Sequence, residues 1–140
     1  MNKINYGRVI LGGLVAGLIL NIGEFVLNTK VLAEQMKTFN AQHNFPDPNT
    51  NFIIVATVLT FVLGIVMVLG YAAIRPRFGP GVKTAIIASL FAWFALYFYM
   101  GIFFAMLFGL STTTCVLTMV WGLVEYAVAT VAGAAVYKEA

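Results

Sequence analysis

The chain has 140 residues, of which 61% are hydrophobic and only 9% charged, against about 45–50% and roughly 25% in an average soluble domain. Four apolar stretches, Val9 to Asn28, Phe52 to Ile74, Val82 to Phe108 and Thr113 to Tyr137, occupy about 95 residues, and each is long enough to cross a hydrocarbon core of roughly 30 Å. About 45 residues remain, too few for a second globular domain, so residues 1–140 read as a single all-α transmembrane domain, a polytopic four-helix bundle. The net charge of +3 is spread over the flanks of the spans and forms no nucleic-acid groove.

The first span follows Lys3 and Arg8. A signal peptide is the alternative here, because Val31-Leu32-Ala33 suits a cleavage site, but the apolar run is longer than a signal core and is interrupted by Asn21 and Glu24. It reads as a retained span. Gly13, Gly17, Asn21, Glu24 and Asn28 recur at intervals of three and four and share one helical face. Gly13 and Gly17 form a small-xxx-small pair that permits close backbone approach, and Asn21 and Asn28 can bond across helices. The segment 29–51 begins with Val31, Leu32, Gln35, Met36 and Phe39, whose spacing predicts a short amphipathic helix lying in the interface. Its second half, Asn44 to Thr50, is turn chemistry, with Asn49 or Thr50 capping the second span.

The second span carries Thr57, Thr60, Gly64, Met67 and Tyr71 on one face, a stripe that would complete a polar-lined interior. Arg75-Pro76 is expected to end it, since proline lacks an N–H and steers its predecessor away from helix. Pro80-Gly81 suits the centre of a type II turn. Arg75, Arg77 and Lys83 are candidates for holding anionic lipid headgroups. The third span is ringed by aromatic residues, and Trp93, Tyr97 and Tyr99, with Trp121 of the fourth span, form a candidate wall for a lipophilic ligand. A tight turn near Gly109 to Thr112 leads into the fourth span. There Thr114, Thr118, Gly122, Glu125, Ala129 and Gly133 share a face that should pack on the first helix, with Gly122, Ala129 and Gly133 at the contact.

Basic residues mark the cytoplasmic side. Lys3, Arg8, Arg75, Arg77, Lys83 and Lys138 fall on one side and only Lys30 and Lys37 on the other, so both termini are expected in the cytoplasm. The string Tyr71-Ala72-Ala73-Ile74-Arg75-Pro76-Arg77-Phe78-Gly79-Pro80-Gly81 resembles a motif of small bacterial inner-membrane proteins with no assigned function. The similarity extends to Asn-Ile-Gly-Glu-Phe at Asn21 to Phe25 and to Trp-Gly-Leu-Val-Glu at Trp121 to Glu125. The resemblance implies a bacterial inner-membrane setting and a four-helix fold over nearly the whole chain, and it implies no activity.

Chemistry within the spans rests on Glu24 and Glu125, the only acidic residues there. A charged side chain at the bilayer centre costs at least about 2.5–3.5 kcal/mol, and no Lys or Arg is embedded nearby, so burial favours the neutral acid. Helical rise puts Glu24 about 6 Å and Glu125 about 18 Å below the outer surface. Direct contact therefore requires the first helix to run beyond Asn28, to tilt or to shift inward. Otherwise the acids connect through Asn21, Tyr126 or water. Thr118 completes this candidate polar cluster. Cys115 is the only cysteine and His43 the only histidine, which excludes an internal disulfide, a thiolate metal cage and paired haem ligands. No catalytic triad, phosphate loop or metal-binding His pair occurs, so neither enzyme activity nor a metal or cofactor is expected. The leading expectation is a structural or accessory membrane protein that associates with itself or a larger complex in the bilayer. The alternative is a small proton-coupled carrier of a hydrophobic or cationic molecule, a scheme of four helices and a first-helix Glu shared with small multidrug carriers, whose motifs are absent here.

Overall fold

The computed structural model describes residues 3–140, and no strand occurs among them. Four helical runs, Tyr6–Val31, Thr50–Phe78, Val82–Phe108 and Thr112–Val136, are long and apolar enough to cross a membrane. Two of them are composite. The first is α1 (Tyr6–Val26) continued by a π-helical turn, Leu27–Val31, and the third is α4 (Val82–Trp93), a π-helical segment, Phe94–Tyr99, and α5 (Met100–Phe108). Between the first two runs lies the short helix α2 (Ala33–Gln42); the second run is α3 (Thr50–Phe78) and the fourth is α6 (Thr112–Val136).

Polar side chains start these helices where free backbone N–H groups need acceptors. Asn5 Oδ1 accepts from Arg8 N at 3.1 Å, Asn49 Oδ1 from Phe52 N at 2.8 Å, and Ser111 Oγ from Thr114 N at 3.2 Å. Asn49, not Thr50, is thus the cap of α3. Gly109 stops α5 in the left-handed conformation, φ 70°, which glycine adopts without a Cβ penalty. The turn into α6 falls within a residue of the expected Gly109 to Thr112.

The link between α3 and α4 departs from expectation. Helix α3 does not end at Arg75-Pro76 but passes through Pro76 to Phe78, and Gly79 N donates to Arg75 O at 2.8 Å to close the last turn. Within one turn of a helix end, proline forfeits little of the hydrogen-bond ladder. The stop is Gly79, φ 83° and ψ 166°, and the restart is Gly81, φ 116° and ψ −173°. Both lie in a region essentially confined to glycine, and the extended ψ at Gly81 replaces the expected type II turn, which needs ψ near 0°. Thr84 Oγ1 donates to Gly79 O at 2.6 Å and Gly81 N donates to Tyr71 Oη at 3.1 Å, which lock the link in place.

The four runs alternate up and down around a ring in which α1 neighbours α3 and α6, and α4 neighbours α3 and α6, with α3 and α6 also touching across the centre. Glycine sets the closest approaches. A Cβ at Gly13 would lie 2.4 Å from Ile65 Cα, one at Gly17 2.6 Å from the Phe61 ring, and one at Gly64 2.5 Å from Gly13 O. The Gly13–Gly17 pair therefore clasps α3 and not α6 as the stripe analysis expected. One residue earlier, Gly12 meets Gly133: a Cβ at Gly12 would lie 2.5 Å from Gly133 O. The α1–α6 contact does form, through Gly12 and Ala16 against Gly133, because at 100° per residue neighbouring helix positions serve different partners.

Buried side chains concentrate in the half of the bundle that carries the termini, around Leu20, Val68, Ala85, Tyr126, Ala129 and Tyr137. The termini meet there: Ala140 N donates to Lys3 O at 3.4 Å and Asn5 N to Tyr137 Oη at 3.4 Å. Arg75 binds Glu139 at 2.6 Å and lies over the Tyr137 ring. The other half is looser. Residues Asn51 to Val55 and Thr57 to Leu59 of α3 are exposed on every face, so of the expected stripe Gly64, Met67 and Tyr71 face the interior while Thr57 lies outside it. Thr57 and Thr60 instead donate to their own backbone, at Ile53 O and Ala56 O, both at 2.7 Å.

Overpacking a tight interior contact costs about 1–3 kcal/mol. Gly13→Val or Gly64→Val should lose that much in a reversible unfolding titration in mixed micelles. Gly70→Ala meets nothing within 4 Å and should be neutral or slightly stabilising.

Candidate functional site: an acid pair beneath an apolar cavity

The site forms where α1, the π segment of the third run and α6 converge. Glu24 and Glu125 are neighbours here, the carboxyl of Glu125 lying against Gly23, the residue next to Glu24. The first helix does continue beyond Asn28, through the π turn to Val31, and this extension places Glu24 farther from the helix end than span-counting suggests. Glu125 is only 7% exposed, and neither of its carboxylate oxygens has a hydrogen-bond partner among the described residues. Trp121 Nε1, beside it, is likewise buried and unpaired.

Gly23 makes the approach possible. A Cβ there would fall 2.8 Å from Glu125 Cδ, so only glycine lets the carboxyl of α6 settle on the backbone of α1. The opposite wall is built in the same way. Tyr97 lies flat against Gly122, where a Cβ would be 2.5 Å from the ring, and its hydroxyl donates to Glu24 Oε1. The Tyr126 ring meets Tyr97 edge-on with centroids 5.1 Å apart. Asn28 Nδ2 completes the cluster, donating to Glu24 O at 2.8 Å and to Glu24 Oε2 at 3.4 Å. Gly23 and the hydroxyl role of Tyr97 escaped sequence reasoning; the available signal was that Gly23 adjoins an intramembrane acid.

Above the acids is a cavity of about 350 Å³, polar at Glu24, Asn28, Tyr97 and Thr118 and otherwise mainly apolar. Leu32 and Met36 of the amphipathic segment contribute to its lining, with Met100 and Phe104 of α5 and Cys115 of α6. Helix α2 does form, and it packs on protein: Phe39 is buried, its ring 5.7 Å from that of Phe104, and His43 and Phe45 lie against Phe108. Both π segments border the cavity, the first through Leu27 and Asn28 and the second through Leu96 and Tyr97. A π turn inserts a residue into the helical register, and such insertions recur at functional sites.

Other candidates are dispersed. Asn21 turns away from the acids, its Nδ2 donating to Gly17 O at 2.9 Å and Thr57 O at 3.4 Å; it neither links the carboxyls nor faces the cavity. Thr118 lines the cavity but donates its hydroxyl to Thr114 O at 2.7 Å. The aromatic wall is not a wall: only Tyr97 borders the cavity, while Trp93 Nε1 donates to Met119 O at 2.8 Å, Tyr99 is exposed, and Trp121 sits beside Glu125. Tyr97 and Tyr99 lie on different faces of the third run, and Trp121 belongs to α6. Of the basic trio, Arg75 is taken up by Glu139, whereas Arg77 and Lys83 are exposed. Among the described residues there is no group of three or more His, Cys, Asp or Glu poised to hold a metal ion. Comparison of the chain with protein-family models, with curated proteins and with solved structures gives no match.

Interhelical hydrogen bonds in membrane proteins are worth about 0.6 kcal/mol on average and up to roughly 1.7. Tyr97→Phe should lose an amount in that range, and Gly122→Ala, which displaces the ring, should lose as much or more. Because both act on one contact, the double variant should be less destabilised than the sum of the two, measured as a double-mutant cycle of unfolding free energies.

Proposed function

We propose that the protein is an integral membrane protein that binds a hydrophobic organic cation in the cavity above Glu24 and exchanges it for a proton held by the Glu24–Glu125 pair. The observation that carries this reading is the cavity itself: about 350 Å³, within the range of small-molecule sites, apolar over most of its wall, with one carboxyl at its base. Apolar walls take the body of such a ligand, and Glu24 takes its charge. Tyr97 and Asn28 hold that carboxyl in position. With Glu125 beside it and no basic residue in the cluster, the pair gains electrostatic stabilisation from an incoming cation as a proton departs. The clustering of Lys3, Arg8, Arg77, Lys83 and Lys138 at the end where the termini meet supports a cytoplasmic location for both termini. The likeness of the Arg-Pro-Arg-Phe-Gly-Pro-Gly link to small bacterial proteins supports the bacterial inner membrane as the setting.

Tetraphenylphosphonium binding to the protein in nanodiscs, followed by calorimetry in buffers of different ionisation enthalpy, tests the reading. The expected result is a saturable site that releases a proton on binding, so affinity rises with pH over the range in which the pair gives up that proton. Glu24→Gln should weaken binding by about tenfold or more, equivalent to at least roughly 1.4 kcal/mol, and abolish the proton release. Proton-independent binding of equal strength in Glu24→Gln and Glu125→Gln would overturn it.

A second reading, an accessory protein acting through association, draws on the exposed half of α3, where Phe52, Ile53, Ile54, Val55, Val58 and Leu59 face away from the bundle. Gly13 and Gly17 cannot serve that role, since both are spent on α3 of the same chain. Association through α3 predicts that a cysteine at Val58 crosslinks two copies or a partner in native membranes, and that one at Leu11, on the exposed side of α1, does not.

A further inference from the structure

A second space, about 480 Å³, opens between α2 and the α5–α6 turn, with Glu34, Thr38 and Gln42 on one side and Gly109 and Ser111 on the other. Its lining is much more polar than that of the cavity below. Two side chains, Leu110 and Thr114, border both spaces. The partition between them is therefore thin: a flexible leucine, and a threonine whose hydroxyl accepts from Ser111 Oγ at 2.8 Å. We propose that this polar space is the water-side mouth of the cavity, through which an organic cation reaches Glu24, and that Glu34 at its rim selects for positive charge.

The inference rests on the cation-binding reading and adds to it the route and the selecting residue. Helix α2 presents Glu34, Gln35, Thr38, Phe39 and Gln42 to the mouth, and Met36, with Leu32 just before the helix, to the cavity. One short element thus supplies a wet lining to the upper space and a dry one to the lower. Lys30 and Lys37 stand on the same segment, exposed and outside either lining. Among the described residues Glu34 is the only charged group bordering the mouth and Glu24 the only one bordering the cavity, with Lys30 and Lys37 a helical turn to either side of Glu34. A cation moving inward passes from one carboxylate towards the next.

Cys115, the only cysteine in the chain, borders the cavity and not the mouth, and so reports on passage between them. The unaltered protein in nanodiscs is treated with a water-soluble cationic methanethiosulfonate and with its anionic counterpart, and the modification rate is followed by mass spectrometry. A carboxylate at the rim draws in positive charge, so the cationic reagent should react faster than the anionic one, and Glu34→Gln should shrink the preference. Leu110→Trp should slow modification strongly by filling the partition. Thr38→Trp, at an exposed position, should slow it by narrowing the mouth without entering the core. Saturation with tetraphenylphosphonium should protect the thiol. Should Cys115 react with membrane-permeant N-ethylmaleimide but resist both charged reagents while tetraphenylphosphonium still binds, the route is lateral through the lipid and the mouth is refuted with the binding reading intact. Equal rates for the two charged reagents would refute selection by Glu34. Rapid cation-selective modification in a protein that binds no tetraphenylphosphonium would leave the mouth standing and overturn the binding reading instead.

Discussion

An ionised carboxyl at the centre of a bilayer costs about 2.5–3.5 kcal/mol on insertion scales, and this chain sets two carboxyl groups side by side between helices, with no Lys or Arg among their contacts. Glu125 is buried and Glu24 half-buried, so each carboxyl depends on the polar groups packed against it. Glu24 has a hydroxyl from Tyr97 and an amide from Asn28. Glu125 has a fitted place and no hydrogen bond, with its oxygens and Trp121 Nε1 left unpaired in the interior. A buried polar group without a partner costs about 1–3 kcal/mol, and a fold that only needed to pack would replace it with an apolar residue. The acid is kept in place by the groups that fit around it, Gly23 on one side and Trp121 on the other.

Glycine is the means by which the pair is accommodated. Gly23 yields room for the Glu125 carboxyl and Gly122 for the Tyr97 ring, so each acid-bearing helix carries the gap that the opposing group fills. At the other end, Gly12, Gly13, Gly17, Gly64 and Gly133 bring α1 against α3 and α6 at backbone distance. In lipid, where helices gain nothing from hiding apolar surface, van der Waals contact of this kind is the main attraction. The bundle is accordingly tight where the glycines interlock and open where α3 and α5 carry bulky side chains on every face. The cavity lies in that open half, and the acids lie at the boundary between the two.

Much of this was legible in the residues. Length and apolarity define four spans, caps and glycines place their ends to within a few residues, and the spacing of Leu32, Met36 and Phe39 identifies α2. The two acids were visible as the only acidic residues within the spans, but their meeting was conditional on the first helix running past Asn28, tilting or shifting inward. Three features were not. The partner of Gly13 and Gly17 depends on the rotation of α1 about its axis, and a shift of one residue, from Gly12 to Gly13, exchanges α6 for α3. Pro76 reads as a helix end, but its position one turn from Gly79 lets the helix absorb it. The role of Tyr97 depends on a π segment that re-aims it, and aromatic residues on all sides of the third run conceal the one that turns inward.

The π segments bear on how the site is maintained. Each widens a helix by one residue and costs regular hydrogen-bond geometry, so it persists where local contacts hold it. At the first, the side chains of Asn28 and Thr29 donate to the carbonyls of Glu24 and Phe25, at 2.8 and 2.6 Å, supplying donors where the backbone ladder changes register. At the second, Tyr97 is fixed by Glu24 at its hydroxyl and by Gly122 at its ring face. Asn28 and Tyr97 thus hold the same carboxyl from two distorted helices. Through that carboxyl the two irregular segments that border the cavity are joined side chain to side chain. The base of the cavity and two of its walls are in this way tied together by a single side chain.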